Sequence, residues 1–226
     1  MKNLAYLTLG WLLGLFGPWL TDLIQRPFRR AQIRRSLFIE LNGLRYKLGS
    51  VVFVIASHLG SVDRQLLEWL EPIMNSGETD YDNILPPNAL KSLLTLSDTE
   101  IQQLASSSPS RGDSLNLKHY DDPFLSASIS SLSLFSPEFQ RLALGIHSQL
   151  ALINEEIDVA KGSLEKTFVP SLNEATHAAI RSNLTVSYSH ISSQSRRLVD
   201  LIGLILEKKK QVFLPERSKH FQLTAL

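Results

Sequence analysis

Residues 4–24 read LAYLTLGWLLGLFGPWLTDLI, an apolar stretch that carries no charge before Asp22. An α-helix rises about 1.5 Å per residue, so a helix of this length reaches roughly 31 Å, which matches a hydrocarbon core of about 30 Å. The stretch therefore predicts a single transmembrane helix, with residues 1–25 as a membrane anchor.

A cleaved signal peptide and a buried hairpin helix both fit this stretch less well. A signal peptide has a shorter apolar core of about 7 to 15 residues, followed by small residues at a cleavage site. Here the apolar run leads instead into Trp19, Asp22 and a group of arginines. A buried hairpin helix of a soluble protein more often has an apolar run of about 10 to 14 residues. We therefore expect a retained span.

A basic segment follows the stretch and predicts the orientation of the chain. Its five arginines are Arg26, Arg29, Arg30, Arg34 and Arg35. Only Lys2 and the amino group precede the stretch, so the positive-inside rule places the N-terminus outside and the C-terminal body in the cytoplasm. The prediction is a single-pass protein of the inner (plasma) membrane. The absence of cysteine agrees with a reducing compartment.

The distribution of charge indicates which partners to expect. Residues 26–47 carry a net charge of +6, and residues 1–25 carry none because Lys2 and Asp22 cancel. The whole chain has a net charge of +1, so residues 48–226 carry −5. A nucleic-acid-binding protein would have a basic face on its folded body, and this body is acidic. Basic residues beside a span are attracted to anionic headgroups. We therefore expect the five arginines to contact the headgroups of a lipid bilayer, and we expect no nucleic acid.

Gly10 and Gly14 form a G-x-x-x-G pair within the apolar stretch. Small residues four apart on one helix face let a second helix approach closely. The pair therefore predicts transmembrane packing and leaves a homo-oligomer open.

The body after the stretch is predicted to be all-α. Apolar residues recur in steps of three and four over residues 33–70, 139–168 and 172–205, as they do in amphipathic helices and coiled coils. Residues 88–96 predict a short helix, and Ser97 with Glu100 forms a capping box that predicts another. Pro27 is predicted to begin the first long helix and Pro72 to end it. Ser136 and Ser171 are the predicted caps of the other two long helices. At about 1.5 Å per residue the three long helices span roughly 50 to 65 Å, so they must lie side by side to bury their apolar stripes.

The predicted architecture is a single transmembrane helix followed by an elongated antiparallel bundle of three long helices with short helical insertions. Residues 26–35 form the basic juxtamembrane segment that leads into the first long helix. Residues 36–213 form the cytosolic bundle, and residues 214–226 form a C-terminal tail. Residues 106–136 contain eleven serines with proline and glycine, which predicts a flexible insertion.

The sequence contains no complete catalytic or metal-binding motif. Glu174-x-x-His177 is the only E-x-x-H, whereas carboxylate-bridged di-metal bundles need two such motifs. The usual hydrolase, zinc, dinucleotide and phosphate-loop signatures are also missing. We therefore predict no catalytic residue, no bound metal and no cofactor. The least poor candidates for a site assembled across the bundle are His147, Glu155, Glu174 and His177.

These patterns favour a non-enzymatic scaffold, sensor or regulatory interaction module that binds a protein partner, because long amphipathic helices offer an extended docking surface. The alternative is a membrane-attached hydrolase or metal-dependent enzyme.

Overall fold

All regular secondary structure in the described residues is helical, which confirms the all-α prediction for them. The computed structural model describes the backbone of residues 2–76, 86–107, 115–168 and 173–207. The helices are α1 (Lys2–His58), α2 (Arg64–Met74), α3 (Pro87–Leu94), α4 (Asp98–Ser107), α5 (Pro123–Ser128), a 3₁₀ helix (Ile129–Leu134), α6 (Pro137–Thr167) and α7 (Glu174–Glu207).

Helix α1 runs without a break from Lys2 to His58, so the expectation that a new helix begins at Pro27 is wrong. A proline inside a helix removes one backbone hydrogen bond and crowds the carbonyl one turn earlier. Where helical residues flank the proline on both sides, the helix bends at this point and continues. The apolar stretch and the first bundle helix are therefore one element.

Within the part of the chain that the structure describes, no helix combines the length and the apolar composition that crossing a membrane requires. Most side chains of residues 4–24 lie outside that part. The side chains of the predicted span therefore fall largely outside the described residues, whereas its backbone belongs to α1.

The first apolar stripe is divided between two helices, so the expectation of one helix as far as Pro72 is also wrong. Helix α1 ends at His58, and Gly60 follows with a φ of 65°, a left-handed conformation that glycine adopts without a steric penalty. The Ser61 amide donates to Ala56 O over 2.8 Å, as in a Schellman motif. Asp63 then caps α2 by accepting from the Leu66 amide.

The three long helices form the bundle. Helices α6 and α7 are joined by a short connection and pack along each other, and α7 also packs on α1. Arg45 lies against Gly203, whereas His58 lies against Tyr188, so α1 and α7 run antiparallel. The core contains no described residue before Ile33. A fragment that begins at residue 25 therefore keeps every described core residue and is expected to fold on its own.

Helix α2 turns back along α1 and packs against both α1 and α7. A Cβ added at Gly49 would lie 3.0 Å from Met74 Cε and 3.1 Å from Ile73 Cγ2, so the glycine permits the close approach of α1 and α2. On its other side, Trp69 Nε1 donates to Asp200 of α7 over 2.9 Å. The short helices α3 and α4 are attached to α2 through Arg64, which binds Asp98.

The structure confirms two of the three N-caps that the sequence predicts. Ser97 and Glu100 form the predicted capping box before α4, and Ser136 caps α6 by accepting from the Phe139 amide. The predicted cap at Ser171 is replaced by Asn173, whose Oδ1 accepts from the Thr176 amide over 2.8 Å. Ser171 itself lies outside the described residues.

The serine-rich insertion packs on the bundle over most of its described length. Residues 115–122 have no regular secondary structure and lead into α5 and the 3₁₀ helix. The core residues that this region supplies are Leu117, Leu125, Leu132 and Phe135. Residues 108–114, which the sequence also assigns to this insertion, lie outside the described part.

Candidate functional site

The basic segment lies on a part of α1 that projects beyond the bundle. Residues 24–32 are all exposed, and Phe28 keeps 73% of its surface accessible although it is an aromatic residue. Arg30 touches the bundle, because its Cζ lies 5.6 Å from the centre of the Phe135 ring. Arg34 and Arg35 lie one turn further on, where the core begins. The arginines are thus positioned between the apolar stretch and the bundle.

Gly14 has an open environment, since a Cβ added there would meet no atom within 4 Å. The surroundings of Gly10 lie outside the described residues. Transmembrane packing through this pair stays a prediction.

Residues 115–122, which we call the strap, are attached to two of the long helices. Tyr188 of α7 binds both backbone groups of Leu115, its hydroxyl lying 3.1 Å from the amide and from the carbonyl oxygen. Asn154 of α6 does the same for Tyr120 at 3.0 and 2.8 Å. Burial raises the pKa of Tyr120 to about 12, so its phenol stays neutral. A cleft of about 720 Å³ lies between the strap and α1.

Asp122 is the buried carboxylate at the end of the strap. Its Oδ2 lies 2.8 Å from Nδ1 of His147, and its Oδ1 accepts from the Ser126 hydroxyl over 2.7 Å. Both carboxylate oxygens are therefore bound, as a buried carboxylate requires. A pocket of about 420 Å³ is lined in part by these residues.

The described residues place no side-chain nucleophile beside the Asp122–His147 pair. An aspartate on Nδ1 orients an imidazole whose other nitrogen is then available as a base, but a base needs a nucleophile within hydrogen-bond reach. The nearby Ser126 hydroxyl donates to Asp122 and not to His147. The three residues therefore act as a clamp that joins the strap, α5 and α6.

The four candidate residues for an enzyme site are not brought together. His147 lies twenty residues before the end of α6, roughly 30 Å along the helix, whereas Glu174 and His177 begin α7 beyond that end. Glu174 pairs with Arg181 at 2.6 Å, and Glu155 is exposed. Among the described residues, no group of three or more histidines and carboxylates could hold a metal ion.

Glu40 connects α1 to the segment after the strap. Its two oxygens accept from the amides of Phe124 and Leu125 over 2.7 and 2.8 Å, at the first turn of α5. Sequence reasoning missed this role. A signal was present, because Glu40 is the single acidic residue among seven basic ones in residues 26–47.

Replacing Glu40 by alanine should lower the free energy of unfolding by about 2 kcal/mol, since two charge-assisted hydrogen bonds to otherwise unpaired amides are lost. Urea denaturation of the fragment 25–226 measures this loss. Glu68, an exposed glutamate on α2, is the control, and its replacement by alanine should change the stability by less than about 0.5 kcal/mol. Equal losses in the two variants would contradict the role given to Glu40.

Compared with known proteins, the chain matches no protein family, no curated protein and no solved structure.

Proposed function

We propose that the protein is a single-pass membrane protein whose helical bundle serves as a non-enzymatic scaffold, sensor or regulatory module for a protein partner. The anchor is residues 4–24, whose apolar length suits a bilayer. The observation that carries the proposal is the continuity of α1. One helix contains the whole apolar stretch, the basic segment and the first bundle stripe.

This continuity means that the bundle would be held at a defined height. The first core residue, Ile33, lies nine residues beyond Ile24, which is about 14 Å of helix. A helix resists bending far better than a flexible linker of the same length does. A partner would therefore meet the bundle close to the headgroups and in a restricted orientation.

The arginines supply the second argument. Each basic residue near an anionic membrane surface contributes about 1 kcal/mol of attraction. Arg26, Arg29 and Arg30 lie on exposed helix within six residues of Ile24. Their position suits the headgroup layer on the cytoplasmic side.

An enzyme is the less supported alternative. The Asp122–His147 pair is the observation in its favour, and neither a nucleophile nor a third metal ligand stands beside that pair in the described structure. The scaffold proposal is supported by the long helices, because they present an extended surface on which a protein partner can dock.

Extraction of membranes with alkaline carbonate tests the anchor in the full-length chain. We expect the parent protein to stay in the pellet, because a spanning helix is not released at high pH. The variant with both Leu12→Arg and Leu13→Arg should be released, since each arginine near the centre of a span costs about 3 kcal/mol.

The control for this experiment is Leu152→Arg, which places the same charge on an exposed position of the bundle and should leave the protein in the pellet. Release of the parent protein would overturn the anchor. A reporter enzyme that is active only outside the inner membrane should stay inactive when fused after Leu226, and its activity would overturn the cytoplasmic assignment.

A further inference from the structure

A groove lined with arginines lies at the end of the bundle nearest the apolar stretch. We call it the basic groove. It has a volume of about 870 Å³ and lies between α1, the end of α2 and the end of α7. Its polar and charged lining residues are Arg34, Arg35, Asn42, Arg45, Ser76 and Glu207. The described lining thus contains three arginines and one carboxylate.

Arg45 is the unusual member of this lining. Its Nε is buried and has no hydrogen-bond partner. No salt bridge joins its guanidinium to a described residue. A partly buried cation without a bound anion is unfavourable, because it loses hydration without gaining a replacement.

Helix α7 makes room for this arginine. A Cβ added at Gly203 would lie 3.3 Å from Arg45 Nη2 and 3.5 Å from its Cζ. Glycine inside a helix costs about 1 kcal/mol relative to alanine, and Gly203 is buried in the middle of the last turns of α7. The glycine therefore allows the guanidinium to lie flat against the helix at the wall of the groove.

We propose that the basic groove binds an extended ligand that carries two or more phosphate groups. Guanidinium groups bind phosphate oxygens through paired hydrogen bonds, which makes arginine the preferred residue for such ligands. Arg34 and Arg45 are eleven residues apart on α1, which is about 16 Å of helix. Two separated phosphates match this spacing with each arginine binding its own phosphate.

Two sources supply this chemistry, a soluble polyphosphate compound and the headgroup of a lipid with two phosphates. Arg34 lies ten residues beyond Ile24, about 15 Å along α1, and Arg45 lies about 31 Å beyond it. A lipid would therefore engage the groove through its Arg34 end first. The phosphate site itself does not depend on the proposed membrane anchor.

Calorimetry with inorganic tripolyphosphate and the fragment 25–226 tests the site at about 0.15 M salt, where nonspecific attraction is screened. We expect Arg45→Gln to weaken binding at least about tenfold. Gly203→Ala should weaken it as well, because the added methyl group displaces the Arg45 side chain. Arg141→Gln, on the exposed surface of α6, is the matched control and should bind as the parent does.

Sedimentation with phosphatidylcholine vesicles, with and without cardiolipin, separates the two sources. Binding to cardiolipin vesicles that Arg45→Gln loses and tripolyphosphate competes away identifies the lipid. Binding of tripolyphosphate alone identifies a soluble ligand.

Three results would overturn the proposal. One is no binding of tripolyphosphate or of cardiolipin vesicles by the parent fragment, and another is equal affinity in the Arg45→Gln and Arg141→Gln variants. The third is binding that appears only after Glu78, Asp80 and Asp82, which follow Ser76 in the sequence, are replaced by asparagine or glutamine. That result would mean that the chain's own acidic residues occupy the groove. None of these results bears on carbonate extraction, so the anchor is tested separately.

Discussion

Replacing Ile153 by aspartate is expected to unfold the bundle. Ile153 lies on α6 and is 0% exposed, with the core formed by α1 and α7 around it. Burial of such a side chain contributes about 1.5 to 3 kcal/mol, and an unpaired carboxylate in its place adds a desolvation penalty of several kcal/mol. The total loss, about 5 kcal/mol or more, approaches the whole stability of an ordinary domain.

The neighbouring residue provides a strict control for this experiment. Leu152 is 50% exposed, so Leu152→Asp adds the same charge one position away without burying it. Its effect should stay within about 1 kcal/mol. Circular dichroism of the fragment 25–226 during heating measures both variants. A cooperative transition for Ile153→Asp at the temperature of the parent would show that α6 does not face the core as described.

Replacing Gly49 by leucine is expected to force α2 away from α1. The first side-chain atom would already lie 3.0 to 3.1 Å from Met74 and Ile73, and the three further carbons of leucine have no space between the helices. Overpacking of this kind typically costs 1 to 3 kcal/mol, and we expect a loss of about 3 kcal/mol because a whole helix must move.

Gly145 on α6 is the matched control, since a Cβ there would meet no atom within 4 Å. Gly145→Leu should raise the stability by roughly 0.5 to 1 kcal/mol, because leucine favours the helix over glycine. Urea denaturation of the fragment 25–226 compares the two variants. Stabilisation by leucine at both positions would mean that α2 does not pack against Gly49.

The long helices could be predicted from the sequence because their stability depends on periodic apolar residues. Ile146, Leu150, Ile153 and Ile157 recur in steps of three and four, and all four are buried. The helix boundaries were harder to predict. Gly60 looks like Gly49 in the sequence, yet one ends α1 in a left-handed turn and the other stays helical beneath α2. Tertiary packing makes that difference, and local sequence does not report it.

The strap illustrates a second limit. The serines and turn residues on either side of it predict flexibility, but side chains of distant helices satisfy its backbone groups. Asn154 and Tyr188 lie 34 and 73 residues from the strap residues that they bind. The pairing of Asp122 with His147 likewise depends on how α6 meets the strap. No spacing rule within one helix or strand relates such residues, so the sequence alone does not reveal them.

Because α1 and α7 run in opposite directions, the described chain both enters and leaves the bundle at one end. From Ile24 to His58 is about 50 Å of helix, and α7 continues about 21 Å further from Tyr188 to Glu174. The tip of the α6–α7 hairpin therefore stands roughly 70 Å from the apolar stretch. In the proposed membrane orientation, a fluorophore at Phe168 is expected to lie much farther from a labelled lipid than a fluorophore at Glu207 does.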